Sequence, residues 1–397
     1  MSICSEKKCT GCGICSLKCP KKCITLEENK EGFLYPKIDE KKCIKCGLCK
    51  KICPNNTEIE KFHGKFYMAI NKDEEILKNS SSGGAFSVLA SYILSNNGIV
   101  IGAYNDSKKR NLYHIVIDNV NDLYKIRGSK YYQSNILNVM SVIKENLKIG
   151  KFVLFSGTAC QIAALKMYLN GIDLSKLYTV DVLCHGVANR KIINYYLESQ
   201  EKKFNKKIID YKFRIKDEKI GWHSGGGTKM KLYFEDGTTY IDEKEVDTFF
   251  MAFNKNVILR ESCYECNYCG ENRVSDFTLG DFWGATEKRV TDEMQKKGVS
   301  VMTINTKKAE NLYDYIDSHM ILTEIDKEEV IPYNQAFEKP NQKPIERDYF
   351  FNTLEKNNNF EKTVRYVYRK NYIKNKIKSL LGEKIVEILK RKKKNNG

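Results

Sequence analysis

The sequence predicts a small, cysteine-dense α+β domain over residues 1–56, an α/β domain over 66–345 and a helical basic tail over 346–397. Three observations predict this order. Ten of the fifteen cysteines fall within the first 53 residues. A strand–helix–strand run over 152–183 implies parallel strands joined by a right-handed crossover. The net charge of +17 is concentrated at the end, where residues 361–397 hold 13 Lys/Arg against 3 Asp/Glu. The rest is only mildly basic, which is weak support for nucleic-acid binding.

The front segment contains a duplication. Cys9-x-x-Cys12-x-x-Cys15-x-x-x-Cys19-Pro20 recurs as Cys43-x-x-Cys46-x-x-Cys49-x-x-x-Cys53-Pro54. Cysteines two residues apart favour a shared metal over a mutual disulfide. Met1–Cys15 has no apolar run, so no export signal is expected. No apolar stretch approaches the roughly 18 residues of a membrane span. A cytoplasmic location with reduced, metal-ligating thiols follows as the expectation.

A [4Fe–4S] cluster needs four thiolates around a cube. Three close thiols wrap three corners, and the Cys preceding Pro ligates the other cluster of a pair. That logic gives Cys9, Cys12, Cys15 and Cys53 to one cluster, and Cys43, Cys46, Cys49 and Cys19 to a second. Paired zinc knuckles compete, but zinc sites draw their cysteines from two separated pairs. The duplicated spacing reads as a two-cluster ferredoxin domain, and the chain as an electron-transfer protein. Cys4 and Cys23 fall outside the repeat and read as structural thiols.

Asn55–Lys65 is a polar linker, and ordinary globular composition begins at Phe66. Ala85–Asn97 has helical periodicity, with Gly98 as its C-cap. Ile99–Tyr104 and Leu112–Asp118 read as strands. Ile136–Ile149 reads as a helix closed by Gly150. Phe152–Ser156, Ala159–Asn170 and Leu177–Leu183 form the strand, helix and strand of the βαβ unit. Lys229–Phe234 and Thr238–Ile241 flank an Asp-Gly turn and form a hairpin. Phe277–Phe282 and Val299–Asn305 are further strands. Tyr372–Lys394 carries one apolar helical face.

Cys160, Cys184, Cys263, Cys266 and Cys269 remain. Cys160 follows one strand of the βαβ unit and Cys184 follows its partner, so both belong on one sheet edge, where α/β ligand sites lie. Cys263-x-x-Cys266-x-x-Cys269 supplies a close group. Four of these five thiols suit a third cluster; the competing reading makes Cys160 and Cys184 small buried hydrophobes.

Clusters pass single electrons and most organic substrates take two, so a flavin is expected between them. No Gly-x-Gly-x-x-Gly follows a strand. Ser80–Gly84, a Ser/Gly loop feeding a helix, suits a phosphate, although serine is also an ordinary N-cap. Arg127–Tyr131 suits a diphosphate, or is a solvated loop. Gly280–Gly284 offers aromatic surface, or core.

Together these segments resemble the beta subunit of coenzyme F-420 hydrogenases and dehydrogenases, a family that includes a plant hydroxymethyl-chlorophyll reductase. The resemblance runs from Tyr67 to about Thr306. It rests on Ser81-Ser82-Gly83-Gly84-Ala85-Phe86, Arg127-Gly128-Ser129-Lys130-Tyr131, Ser156-Gly157-Thr158-Ala159-Cys160-Gln161, Asp181-Val182-Leu183-Cys184-His185-Gly186, Cys263-Tyr264-Glu265-Cys266 and Gly280-Asp281-Phe282-Trp283-Gly284. It implies an α/β domain holding FAD beside a [4Fe–4S] cluster, with Cys160, Cys184, Cys263 and Cys266 as ligands and Cys269 as an extra thiol. Ala159 stands where the family often has Pro. Members with a fused ferredoxin module occur with polysaccharide genes. The implied activity is an oxidoreductase passing electrons between clusters and FAD for a two-electron small-molecule substrate, a deazaflavin coenzyme or a polysaccharide-biosynthesis intermediate. The FAD-contacting residues expected are Ser81, Ser82, Gly83, Gly84, Arg127, Gly128, Ser129, Lys130 and Tyr131.

A different class competes: an electron-transfer adaptor that docks to a separate catalytic subunit and has no substrate of its own. Either way a redox partner protein or donor is implied, and no nucleic acid. His185 and Lys130 are the candidate catalytic residues: His185 could protonate a substrate and Lys130 contacts an anionic cofactor or substrate, with His223 a further candidate; a structural histidine is the competing reading for both histidines. The basic tail fits an anionic membrane surface, and equally a helix packed on the body with a solvated end.

Overall fold

The computed structural model describes residues 2–216, 221–222, 229–241, 247–285 and 289–369. His223 and the amphipathic run 372–394 lie outside the described residues. In chain order the strands are β1 (Ile24–Glu28), β2 (Leu34–Ile38), β3 (Phe62–His63), β4 (Lys65–Asn71), β5 (Ile99–Asp106), β6 (Asn111–Ile117), β7 (Val153–Gly157), β8 (Leu177–Val182), β9 (Ile208–Lys212), β10 (Lys231–Phe234), β11 (Thr239–Ile241), β12 (Asn272–Arg273), β13 (Phe277–Asp281), β14 (Ser300–Ile304) and β15 (Met320–Ile325).

The main sheet runs β15-β4-β14-β13-β8-β7-β5-β6. The expected βαβ unit is present: β7 and β8 are parallel neighbours, with Gly157 opposite Asp181. β5 and β13 extend the parallel group on either side. Antiparallel strands continue outward, β6 on one flank and β14, β4 and β15 on the other. The sheet is therefore mixed. Parallel strands need covering on both faces, and one face of the parallel core packs on the helix Ala85–Ser95 and the other on the helices Met140–Lys148 and Ala159–Tyr168.

Small differences from the sequence reading have local causes. The helix Ala85–Ser95 closes on Asn97, which takes the left-handed conformation (φ 54°) expected of Gly98. Gly98 N–H instead reaches back to Ile93 O at 2.9 Å, the second bond of a Schellman turn. A Cβ on Gly98 would lie 2.6 Å from Ile93 Cγ2 and 2.7 Å from Phe152 O, so glycine is needed there for close approach. The expected helix 136–149 begins as a 3-10 turn (Leu137–Val139) before Met140–Lys148. The start of the tail is two helices, Arg347–Asn357 and Phe360–Val367, broken at left-handed Asn358.

The cysteine-rich front packs against the body through buried cations. Arg347, 1% exposed, forks onto both oxygens of Glu31 at 2.5 and 2.6 Å and also reaches Glu261 at 2.9 Å. Arg260, also 1% exposed, donates to Cys9 O at 2.7 Å, Leu34 O at 2.8 Å and Gln133 Oε1 at 3.2 Å. Gln133 in turn donates to Thr10 O at 2.9 Å. No helix among the described residues is long and apolar enough to cross a membrane.

Candidate functional site

The carboxyl ends of β7 and β8 open into a cavity of about 680 Å³. Cys160 enters it as the second residue of the helix Ala159–Tyr168, and Cys184 as the second residue beyond β8. The turn before Cys160 is held by Thr158 N–H donating to Gln161 Oε1 at 3.0 Å, while Gln161 donates to Ser134 Oγ at 2.9 Å. Cys263, Cys266 and Cys269 line the same cavity. Their loop is fixed by Arg273, which pairs with buried Asp181 at 2.5 Å and donates to Tyr268 O at 2.9 Å. The ion pair thus ties the downstream cysteines to β8, the strand that presents Cys184.

Burial dominates the thiol electrostatics. It pushes Cys160 up to about 12 and Cys263 up to about 11, and raises Cys184 well above the ordinary range. Cys266 moves the other way, down to about 6, because Cys269 donates its S–H to it and the Tyr268 N–H points at its sulfur from 3.4 Å. Such thiols become thiolates together with metal binding, which releases their protons. Among the described residues no three His, Cys, Asp or Glu converge tightly enough for a single metal ion; a cluster spreads its ligands over several iron corners.

Cys12 of the front domain lines this same cavity. Buried Tyr268 packs with Cys12, Cys160 and Cys266 in one apolar group and lies in electrostatic reach of Cys53 as well. The first front set therefore abuts the downstream cysteines. The second set lies away from the cavity, around a small apolar hollow lined by Cys19, Cys43, Cys46 and Cys49, with Cys46 exposed.

The two loops expected to hold a flavin also meet at the cavity. Ser129 N–H donates to Ser81 Oγ at 2.8 Å, which joins them directly. The serine–glycine loop is pinned from behind: Gly83 N–H donates to Ser300 Oγ at 2.8 Å, and Ser82 Oγ donates to Val299 O at 2.9 Å. A Cβ on Gly83 would lie 2.1 Å from Ala69 O, and Gly84 (φ 81°) is left-handed at the helix N-cap. Glycine is required at both for the loop to lie against the sheet. Arg127 is half-buried, and its Nε has no partner. Lys130 donates to Ile126 O at 3.0 Å and Arg127 O at 2.8 Å; burial lowers it to about 7, where an amine exchanges protons near neutrality. Tyr131 is held edge-on by Phe250 and Phe253.

His185 lines the cavity but is committed to the fold. Its Nε2–H donates to Phe253 O at 3.3 Å, its ring packs on Phe253, and burial lowers its pKa. Phe282 is core and Trp283 faces the cavity, stacked on Trp222 with centroids 5.0 Å apart. Arg214 joins the same wall, paired with Asp281 at 2.7 Å.

The sequence reading missed His114. It is fully buried on β6, stacked on Phe155, and lines the cavity. Its Nε2–H donates to Ser156 O at 2.9 Å, which leaves Nδ1 as a buried acceptor without a partner. The available signal was a histidine at an inward position of an alternating strand, in register with Leu112. Burial lowers it to about 4. Above its unfolded value of about 6.5 both states are neutral. As pH falls toward 4 the unfolded chain protonates first, so stability falls across that window by up to ~3 kcal/mol. Denaturant unfolding of wild type and His114→Asn at several pH values checks this, since the substitution removes that part of the slope.

Three family models match the chain. A 4Fe-4S dicluster domain matches residues 8–57. The coenzyme F420 hydrogenase/dehydrogenase beta subunit matches with its N-terminal part at 66–141 and its C-terminal part at 150–329, together more than half the chain. The chain belongs to that beta-subunit family. A chain of the F420-reducing [NiFe] hydrogenase complex from Methanosarcina barkeri is similar, with 20% identity, 71% of this chain and 97% of that chain covered, and a TM-score of 0.47. No curated protein matches. Family membership makes the chain an iron–sulfur protein of the oxidoreductase, electron-transfer type.

Proposed function

We propose that the chain is an iron–sulfur flavoprotein oxidoreductase that joins a one-electron carrier to a two-electron small-molecule substrate. The observation that carries this reading is the single cavity on which Cys12, Cys160, Cys184, Cys263, Cys266 and both flavin-candidate loops converge. In this reading Cys9, Cys12, Cys15 and Cys53 hold one [4Fe–4S] cluster, Cys43, Cys46, Cys49 and Cys19 a second, and Cys160, Cys184, Cys263 and Cys266 a third. Ser81–Gly84 and Arg127–Tyr131 bind FAD. When bound, clusters supply single-electron relay and a flavin supplies hydride chemistry.

The chain's own residues supply placement. The backbone at Gly83 and Gly84 lets the first loop approach closely, and Arg127 meets the diphosphate charge with its unpartnered Nε–H. His114 Nδ1 accepts from an N–H or O–H of the bound cofactor. Lys130 holds or releases a proton at Nζ near neutral pH. Trp283, backed by buried Trp222, lines the cavity, and the two-electron substrate enters beside Arg214. A deazaflavin coenzyme, the class in the family's name, is one candidate substrate, and a polysaccharide-biosynthesis intermediate is another. The redox partner meets the exposed edge at Cys46.

The test is iron, acid-labile sulfide and flavin content of anaerobically purified protein. The expected result is about twelve iron atoms and one FAD per chain. About eight iron atoms with no flavin after reconstitution would overturn the enzyme reading and leave an adaptor that serves a separate catalytic subunit.

A further inference from the structure

We propose that the outer end of the second cysteine set is a docking face for a small acidic one-electron carrier protein, built as an aliphatic centre inside a rim of lysines. The inference rests on the relay reading above and names the kind of partner that the relay needs. At the centre Ile44 is 58% exposed, with Leu48 and Cys46 also open to solvent in the same hollow. Lys21 and Lys45 line that hollow together with the cysteines. Residues 16–23 and 39–51 carry eight lysines against two acids, and one of the acids, Asp39, is already paired with Lys42 at 3.3 Å. Lys21, Lys22, Lys45, Lys50 and Lys51 are exposed and have no ion-pair partner among the described residues.

The duplicated halves differ at this face. In the first half the equivalents of Ile44, Lys45, Leu48 and Lys50 are Thr10, Gly11, Ile14 and Ser16. That half is turned into the protein. Ile14 is buried, a Cβ on Gly11 would lie 2.7 Å from Arg260 Nη1, and one on Gly13 would lie 2.8 Å from Leu137 Cδ1. Gly47, the equivalent of Gly13, meets open space. Gly11 and Lys45 share the left-handed backbone, at φ 65° and 54°, and Lys22 takes it at φ 48°. Glycine adopts that conformation freely, and lysine only with strain. Two rim lysines thus stand where the backbone favours glycine and packing makes no demand on a side chain. A strained residue in such a place points to use of its side chain.

Charge selects the occupant. A second copy of this chain, at a net +17, is repelled. Residues 1–56 contain no arginine, so the fork that grips the phosphates of a nucleic acid is missing. Unpaired lysines around an aliphatic centre fit carboxylates around an apolar patch. The rim steers the approach, and the centre holds the complex. Docking there sets the carrier against Cys46, the exposed thiol of its set.

The test measures association and dissociation by surface plasmon resonance on the full chain, at low and high salt. The probes are an acidic flavodoxin and an acidic [2Fe–2S] ferredoxin. Both are expected to bind, with association slowing as salt rises. Lys21→Glu/Lys45→Glu/Lys50→Glu is expected to slow association at low salt by about tenfold or more. Lys148→Glu/Lys202→Glu/Lys207→Glu reverses the same number of charges at exposed lysines of the larger domain, and is expected to slow it by less than about threefold. Ile44→Ser is expected to speed dissociation and leave association near wild type. Iron content and the visible spectrum report that each variant is folded. Failure of both carriers to bind would overturn the proposal, and so would an equal loss in the two triple variants. If neither carrier binds while vesicles containing phosphatidylserine do, the face is a membrane contact and the proposal falls. Binding is read rather than turnover, so a wild type without flavin or a third cluster leaves the comparison intact. A flavin-loaded wild type that ignores both carriers removes this proposal and leaves the enzyme reading standing.

Discussion

Cys160→Ser is expected to lower the iron content by about four atoms per chain and to leave both front-domain clusters in place. Cys160 sits at a rigid corner, where β7 turns into its helix, and its thiol lies 3.0 Å from Thr158 Oγ1. Its thiol neighbours include Cys184, Cys263, Cys266 and Cys12. A serine hydroxyl is a hard and weakly acidic donor, poorly matched to iron in a sulfide cluster. Turnover of any two-electron substrate should vanish while flavin content stays near wild type, since Ser81, Arg127 and Lys130 are untouched. Iron, sulfide and flavin analysis checks this directly. Unchanged iron would remove Cys160 from the ligand set.

Arg260→Met is expected to destabilise the chain and to lower the midpoint potential of the first front-domain cluster. Arg260 is buried with no carboxylate partner among the described residues, and its donors end on Cys9 O, Leu34 O and Gln133. Removing it leaves those acceptors unpaired, at a cost of roughly 1–3 kcal/mol for each one that water does not reach. The guanidinium also faces the Cys9 sulfur at 3.9 Å, and with the Cys4 thiol it holds Cys9 down near a pKa of about 6. A fixed positive charge favours the reduced, more negative cluster. Its loss should lower the potential by on the order of 50 mV, equivalent to about 1 kcal/mol. Arg260→Lys restores part of the shift, because the charge returns without the fork of donors. Thermal unfolding and a potentiometric titration followed by electron paramagnetic resonance measure the two effects separately.

Much of this was legible in the sequence where one local rule governs. The duplicated cysteine run is such a case, matched by the dicluster model at residues 8–57. The parallel pairing of β7 and β8 is another, because a short crossover helix leaves little freedom. It correctly placed Cys160 and Cys184 at one edge. The outer strands β4 and β15 were not read. Both join through antiparallel pairings to strands distant in sequence, β14 lying more than two hundred residues from β4. The left-handed cap fell to Asn97 because Gly98 was needed for contact with Phe152, a tertiary demand invisible locally. His114, Arg260 and Tyr268 were missed for a related reason. Their significance lies in what faces them, and only the assembled fold brings Ser156, Cys9 and Cys12 into those positions.

The Arg347 clamp has a consequence for motion. One buried guanidinium grips Glu31 of the front domain and Glu261, two residues before Cys263. Arg260 repeats the arrangement nearby with Cys9 and Leu34. The cysteine-rich lobe is therefore not a swinging arm that visits the body and leaves. Its gap to Cys160 and Cys266 is fixed by the same bonds that hold the fold together. In the relay proposed above, passage between them would be paced by a constant distance rather than by a diffusive search, and an agent that loosens the lobe should slow transfer before it unfolds the sheet.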